Sequence, residues 1–186
     1  MTLIDLQGKT LYLGNDVIKK AYLGNTRLYE GYVFDNHTIL TPEMISGTVG
    51  DRNQRYIGTA THLIIDDSFP NNNLNSLFRD NQTLKSLVIL TNKITYMNNA
   101  FRSIGNQFDF LFINASNVTN TSSMFRESLI TTLDLSSFDT SNVTNMNNMF
   151  QNSQATTGYA RTQADADKFN ASSNKPVGLT FVVKGS

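Results

Sequence analysis

Three Phe-Arg pairs stand in this chain, at Phe78-Arg79, Phe101-Arg102 and Phe125-Arg126, with intervals of 23 and 24 residues. A planar guanidinium grips phosphate or carboxylate through two parallel hydrogen bonds, so a column of Arg79, Arg102 and Arg126 would suit an anionic ligand such as the phosphates of wall teichoic acid. Like charges that close repel unless neutralised, and Asp80 and Glu127 stand beside them to do so, which leaves a purely structural reading open. The other chemistry-bearing residues are sparse. There are two histidines, His37 and His62, and His62 directly precedes an apolar run, where a structural role is expected. Asp66-Asp67 is the only adjacent acidic pair; on or just after a strand the two side chains point to opposite faces and cannot converge on a glycosidic bond. Asp67-Ser68 reads instead as the N-cap of the segment entering Pro70.

Metalloprotease, nucleophile-elbow, phosphate-loop and dinucleotide motifs are missing from the sequence, as is the nonapeptide pattern of calcium-binding β-rolls. The expectation is a chain with no catalytic residues, no metal site and no cofactor. With 15 Lys+Arg against 15 Asp+Glu, the net charge is zero and no global field favours nucleic acid. Cysteine is absent, which excludes disulfides and thiolate chemistry. The N-terminus has neither a basic leader nor an apolar core of signal-peptide length, and no run approaches the roughly 20 apolar residues of a membrane span. Neither an export signal nor membrane insertion is therefore expected.

The arginines ride on a repeat. Phe108-Asp109-Phe110 through Asn120 aligns without a gap on Leu133-Asp134-Leu135 through Asn145, an offset of 25 residues that also carries Met124-Phe125 onto Met149-Phe150. Phenylalanine recurs at Phe78, Phe101, Phe125 and Phe150. A unit this short cannot bury its apolar side alone, and stacking copies lets each rung cover the next. Apolar-x-apolar triplets (Leu63/Ile65, Leu87/Ile89, Phe108/Phe110, Leu133/Leu135) read as short strands of a narrow parallel sheet. The Asn-Val-Thr-Asn-Met segment that follows fits a turn and then a helical or 3₁₀ turn, with Val143, Met146, Met149 and Phe150 on the core side.

The stretch from Leu133 to Phe150, LDLSSFDTSNVTNMNNMF, resembles the BspA-type leucine-rich repeat of bacterial adhesins, lipoproteins and phage-encoded proteins. The resemblance extends over roughly residues 60 to 184, with Thr121 where the repeat has methionine and with shortened upstream rungs. It implies a solenoid used for recognition or adhesion, with no catalytic residues to carry over.

At the ends the grammar changes. Thr41-Pro42-Glu43 opens a candidate N-terminal cap, and Thr162-Gln163-Ala164-Asp165 is a capping-box start for a C-terminal helix that Asn174-Lys175-Pro176 would end. Leu179 to Val183 reads as a closing strand. In the first 34 residues Leu11-Tyr12-Leu13-Gly14-Asn15 recurs as Ala21-Tyr22-Leu23-Gly24-Asn25, and Gly-Asn between alternating apolar runs signals hairpins. These hairpins resemble those at the ends of phage virion and tail-associated proteins of Gram-positive hosts, which implies an anchor to a larger particle; a simple β-cap on the solenoid is the other reading.

The expected fold is a β-rich α/β repeat: an antiparallel hairpin module over residues 1–34, a cap over 35–60, repeats over 61–153 and a helix-plus-strand cap over 154–186. On the strands, Ile64, Val88, Asp109 and Asp134 fall at the outward position, with Leu90, Leu111 and Phe112 beside them. The apolar half, Ile64, Val88, Leu90, Leu111 and Phe112, reads as a contact surface that receives either the hairpin module or another copy of the chain in a homo-oligomer. The functional expectation is a non-enzymatic virion protein of tail, fibre or decoration type. Its partners would be other virion proteins, through the hairpins, and a bacterial wall polymer or surface protein. A bacterial surface or secreted adhesin is the alternative.

Overall fold

The computed structural model describes residues 61–105 and 108–185 in full and, ahead of them, the backbone of five strands. The chain divides into two compact units, Met1–His37 and Thr38–Ser186. In the first, β1 (Thr2–Leu6) pairs antiparallel with β2 (Lys9–Leu13), and β3 (Ile18–Leu23) with β4 (Thr26–Tyr32), Leu23 standing opposite Thr26. The cap expected over residues 35–60 lies outside the described residues apart from β5 (Thr38–Ile39), and so does His37.

The second unit is a parallel β-solenoid of about five turns. One sheet runs β5, β6 (His62–Ile65), β7 (Ser86–Ile89), β8 (Phe110–Ile113); a second runs β9 (Thr132–Leu135), β10 (Thr157–Ala160), β11 (Thr180–Val183). Register places Leu63, Leu87 and Leu111 in one inward column and Ile65, Ile89 and Ile113 in the other. This corrects the ungapped alignment, in which Phe108 and Phe110 held those places with Asp109 outward. Phe108 is buried ahead of the strand, edge-on to Phe101 at 5.6 Å between ring centroids, and the outward residue of the third rung is Phe112, not Asp109. The reason is that rung length is shared unequally. The third rung takes a shorter path from its strand to Asn120 than the fourth takes to Asn145, yet the Asn120–Asn145 bridge keeps the turns aligned. The ladder therefore parts between β8 and β9, where Ile113 N–H donates to the Ser137 hydroxyl (2.9 Å) instead of a strand carbonyl.

Opposite the strands, each rung passes through linked turns rather than the helical or 3₁₀ turn expected after the first turn. Ser76 and Asp80, Asn99 and Ser103, Ser123 and Glu127, and Asn148 and Asn152 all have φ between 55° and 59°. That left-handed conformation interrupts a helix, and Asn and Asp tolerate it best among residues other than glycine. Backbone N–H groups then alternate in destination. Leu77 and Arg79 donate back within the turn, to Leu74 and Ser76 carbonyls, whereas Ser76, Phe78 and Asp80 donate to Asn98, Ala100 and Arg102 of the next rung. Every such segment thus closes its own turns and also ties to its neighbour.

The core is a column of aromatics. Phe78, Phe101, Phe125 and Phe150 are buried and stack at 5.4, 5.2 and 6.2 Å with interplanar angles of 8°, 18° and 7°. The abundant Asn, Thr and Ser serve the backbone that this stacking orders. Asn114, Asn117 and Asn142 amides donate to carbonyls of the preceding rung, as do the Thr95, Thr119 and Thr144 hydroxyls.

At the C-terminal end the repeat continues one strand further than its sequence suggests. In β10, Gly158 pairs with Leu133 and Phe181, and the Phe181 ring occupies the space that a larger residue there would fill: a Cβ on Gly158 would stand 2.3 Å from it. Helix α1 (Gln163–Asn170) starts at the expected cap, Thr162, whose side chain accepts from Asp165 N–H; it ends at Ala171, ahead of the Asn174-Lys175-Pro176 stop. Asp165 is 2 % exposed and accepts from the Thr140 N–H and hydroxyl, from the Thr162 hydroxyl and from Arg161 Nε. The Asn170 side chain accepts from Phe181 N–H and donates to Phe181 C=O, both at 2.9 Å, so one amide satisfies backbone groups on the last strand that β10 does not.

Candidate recognition surface

Arg79, Arg102 and Arg126 lie on successive rungs, and acids sit among them. Arg102 donates to Glu127 Oε2 from both Nε (3.1 Å) and Nη2 (3.0 Å), and Arg126 Nε donates to Glu127 Oε1 (3.1 Å). Arg79 Nε lies 3.3 Å from Asp80 Oδ2, close enough for attraction but out of line for a hydrogen bond. Desolvation alone would raise the Glu127 pKa; the hydrogen bond and charge of Arg102, and then those of Arg126, outweigh it and hold the carboxyl below its ordinary value. Three guanidiniums against two carboxylates leave one net positive charge on this column.

Asp66, Asp67 and His62 are engaged locally. Asp66 Oδ1, rather than Asp67, caps the turn by accepting from Ser68 N–H and hydroxyl (2.9 and 2.6 Å). Asp67 accepts from the Thr91 hydroxyl (2.7 Å), and His62 Nδ1 lies 2.7 Å from the Thr61 hydroxyl. Among the described residues no group of acidic or histidine side chains is arranged to hold a metal ion, and no helix is long and apolar enough to cross a membrane.

Of the apolar positions, Ile64, Val88, Leu90 and Phe112 are buried, at 3, 6, 8 and 5 % exposure, and lie outside the main core cluster. Leu111 packs partly buried against that core, because register turns it inward. Where the sheet parts, a crevice of about 60 Å³ opens between β8 and β9, lined by Phe108, Phe110, Leu111, Ile130, Leu133 and Asp134 among others. Desolvation would raise the Asp134 pKa, but bonds from Lys184 and Ser136 prevail and lower it.

A further surface escaped the sequence reading. Residues 72–76, 95–99, 119–123 and 144–148 carry no ionisable side chain except the Tyr96 phenol, and short parallel bridges stack Asn73, Tyr96, Asn120 and Asn145. Each asparagine in that column closes a turn: Asn73 accepts from Asn75 N–H (2.7 Å), Asn120 from Ser122 N–H (3.0 Å) and Asn145 from Asn147 N–H (3.0 Å). Tyr96 has no acceptor to place there, and its side chain stands 43 % exposed. The signal was in the sequence as Asn, Tyr, Asn, Asn at one repeat position, but it stands out only once register defines that position.

The family model described as "Mycoplasma protein of unknown function, DUF285" matches residues 72–177, more than half of the chain. This protein belongs to that family. The matched span runs from the Asn73 turn to the segment before β11 and so takes in the DUF285 rungs and α1. No curated protein and no solved structure matches the chain significantly. Family membership and the parallel solenoid are together compatible with the BspA-type repeat.

Proposed function

We propose that this protein is a non-enzymatic recognition module carried on a virion, with the solenoid displayed for attachment to a bacterial surface and the N-terminal hairpins as its anchor. The observation that carries the recognition reading is the pattern of outward side chains. Hydrogen-bonded rungs hold them in columns at about one strand separation, roughly 5 Å, while the acids and His62 that could have served catalysis are bonded to neighbours. A rigid array of this kind suits a repetitive surface polymer or a surface protein. The virion placement rests on the likeness of the "LYLGN" hairpins to those of phage structural proteins. The second reading, a bacterial surface or secreted adhesin, is favoured by the family's description as a Mycoplasma protein.

The test is retention of the labelled chain by Gram-positive cell walls with and without teichoic acid, with a variant carrying Arg79, Arg102 and Arg126 changed to alanine in parallel. Binding supports recognition, and its loss in the variant locates it on the arginine column. Absence of binding to walls and to intact cells would overturn it. Immunodetection on purified phage particles, against detection on cells free of phage, separates the two placements.

A further inference from the structure

We infer that the uncharged face centred on Tyr96 is a binding site for a neutral oligosaccharide. Tyrosine at this place works against the fold. It replaces the asparagine that caps the equivalent turn in three other rungs, leaves Asn98 N–H without the side-chain acceptor that Asn75, Ser122 and Asn147 enjoy, and exposes an aromatic ring. A residue that breaks a local rule with neither a side-chain hydrogen bond nor a ring contact in exchange marks a place where function, not stability, set the choice. Tyr96 has no ring partner among the described aromatic contacts.

The surroundings define the ligand. Asn73 and Asn120 flank Tyr96 across the bridges, and the half-exposed side chains of Asn98, Asn99, Ser122 and Ser123 have no hydrogen-bond partner among the described residues. Amides and hydroxyls supply both donors and acceptors, as the hydroxyls of a sugar require, and the flat ring offers an apolar platform for the C–H face of a pyranose. The four turn segments themselves carry no charged side chain, so their own groups suit a neutral ligand better than phosphate, nucleic acid or an acidic peptide. Neighbouring rungs lie about 5 Å apart, close to the length of one sugar residue, so a short oligosaccharide would cross several rungs along the column. This inference rests on the recognition reading above but uses residues other than the three arginines.

The experiment probes an array of immobilised neutral glycans, and the wall preparations above, with the full chain and with Tyr96→Asn and Tyr96→Phe. The expected result is binding to at least one neutral glycan, kept by Tyr96→Phe and weakened about tenfold or more by Tyr96→Asn, a loss of roughly one 1.4 kcal/mol step. Thermal unfolding of Tyr96→Asn should occur at or above the wild-type temperature, because asparagine restores the missing turn cap. A lower melting temperature would make Tyr96 a structural residue, and a change in oligomeric mass would make the face a self-contact; each overturns the inference. So does a wild-type chain that binds walls but no neutral glycan, a result that leaves the recognition reading standing.

Discussion

Phe125→Ala tests the stacked core most directly. Phe125 is fully buried between Phe101 at 5.2 Å and Phe150 at 6.2 Å, so truncation opens a cavity bounded by two rings that cannot close on each other without moving their own rungs. Removing a buried phenylalanine costs about 3–5 kcal/mol, and loss of two aromatic contacts at about 0.5–1.5 kcal/mol each places this site toward the upper end of that range. Against a total stability of about 5–15 kcal/mol, such a loss removes a large share. With a urea slope of about 2 kcal/mol per molar, the unfolding midpoint should fall by about 2 M. Urea titration followed by far-ultraviolet circular dichroism reads this, with Leu129→Ala as the control: Leu129 is 48 % exposed, and its loss should change stability by less than about 0.5 kcal/mol. A Phe125→Ala change below about 1 kcal/mol would refute the stacked column as the source of stability.

Three further outcomes follow from the C-terminal turn. Asn170→Ala removes both bonds to Phe181 and bares the last strand; it should cost about 1–3 kcal/mol in a denaturant titration and promote concentration-dependent association seen by light scattering, and unchanged stability and mass would count against the edge-sealing role. Desolvation pushes the Asp165 pKa up, but bonds from Thr140 and Thr162 and the charge of Arg161 prevail and lower it. Its contribution is therefore complete above the unfolded carboxyl value of about 3.9 and is lost as pH falls through the lower folded value, so the wild-type urea midpoint should drop more steeply below about pH 4 than that of Asp165→Asn. Parallel acid profiles of the two proteins would contradict this. Gly158→Ala should destabilise by about 1–3 kcal/mol because the added Cβ meets the Phe181 ring, and calorimetry should find a smaller cost in a Phe181→Ala background; additive losses would mean that the two residues do not share that space.

The parallel solenoid, the phenylalanine column, the Thr162 cap of α1 and the final strand were legible because each depends on spacing along the chain. Three features were not. The third strand was misplaced by the ungapped match of Phe108 to Leu133, since alignment assumes that every part of a rung has one length, whereas the backbone needs only neighbouring rungs to agree locally. Strand β10 was hidden because Gly158 and Ala160 stand where large apolar residues mark the earlier rungs; Phe181 from the next strand fills the volume instead. The turns looked helical because Val143, Met146 and Met149 recur at three-residue intervals, but left-handed Asn and Ser residues give the same spacing through successive turns.

The same division holds for the candidate surfaces. Arg79, Arg102 and Arg126 were visible as a column from their intervals alone, and so were the acids available to neutralise them. Which acid meets which guanidinium depends on side-chain reach across rungs, and only the folded chain brings Glu127 between Arg102 and Arg126. The sequence by itself determined that the chain stacks, because a repeat of about 25 residues has no other way to bury its phenylalanines. Register was decided by tertiary structure, because a shift of one residue exchanges the faces of a strand. Register turned Leu111 inward and Phe112 outward, opened the crevice between β8 and β9, and set Tyr96 in a column of asparagines.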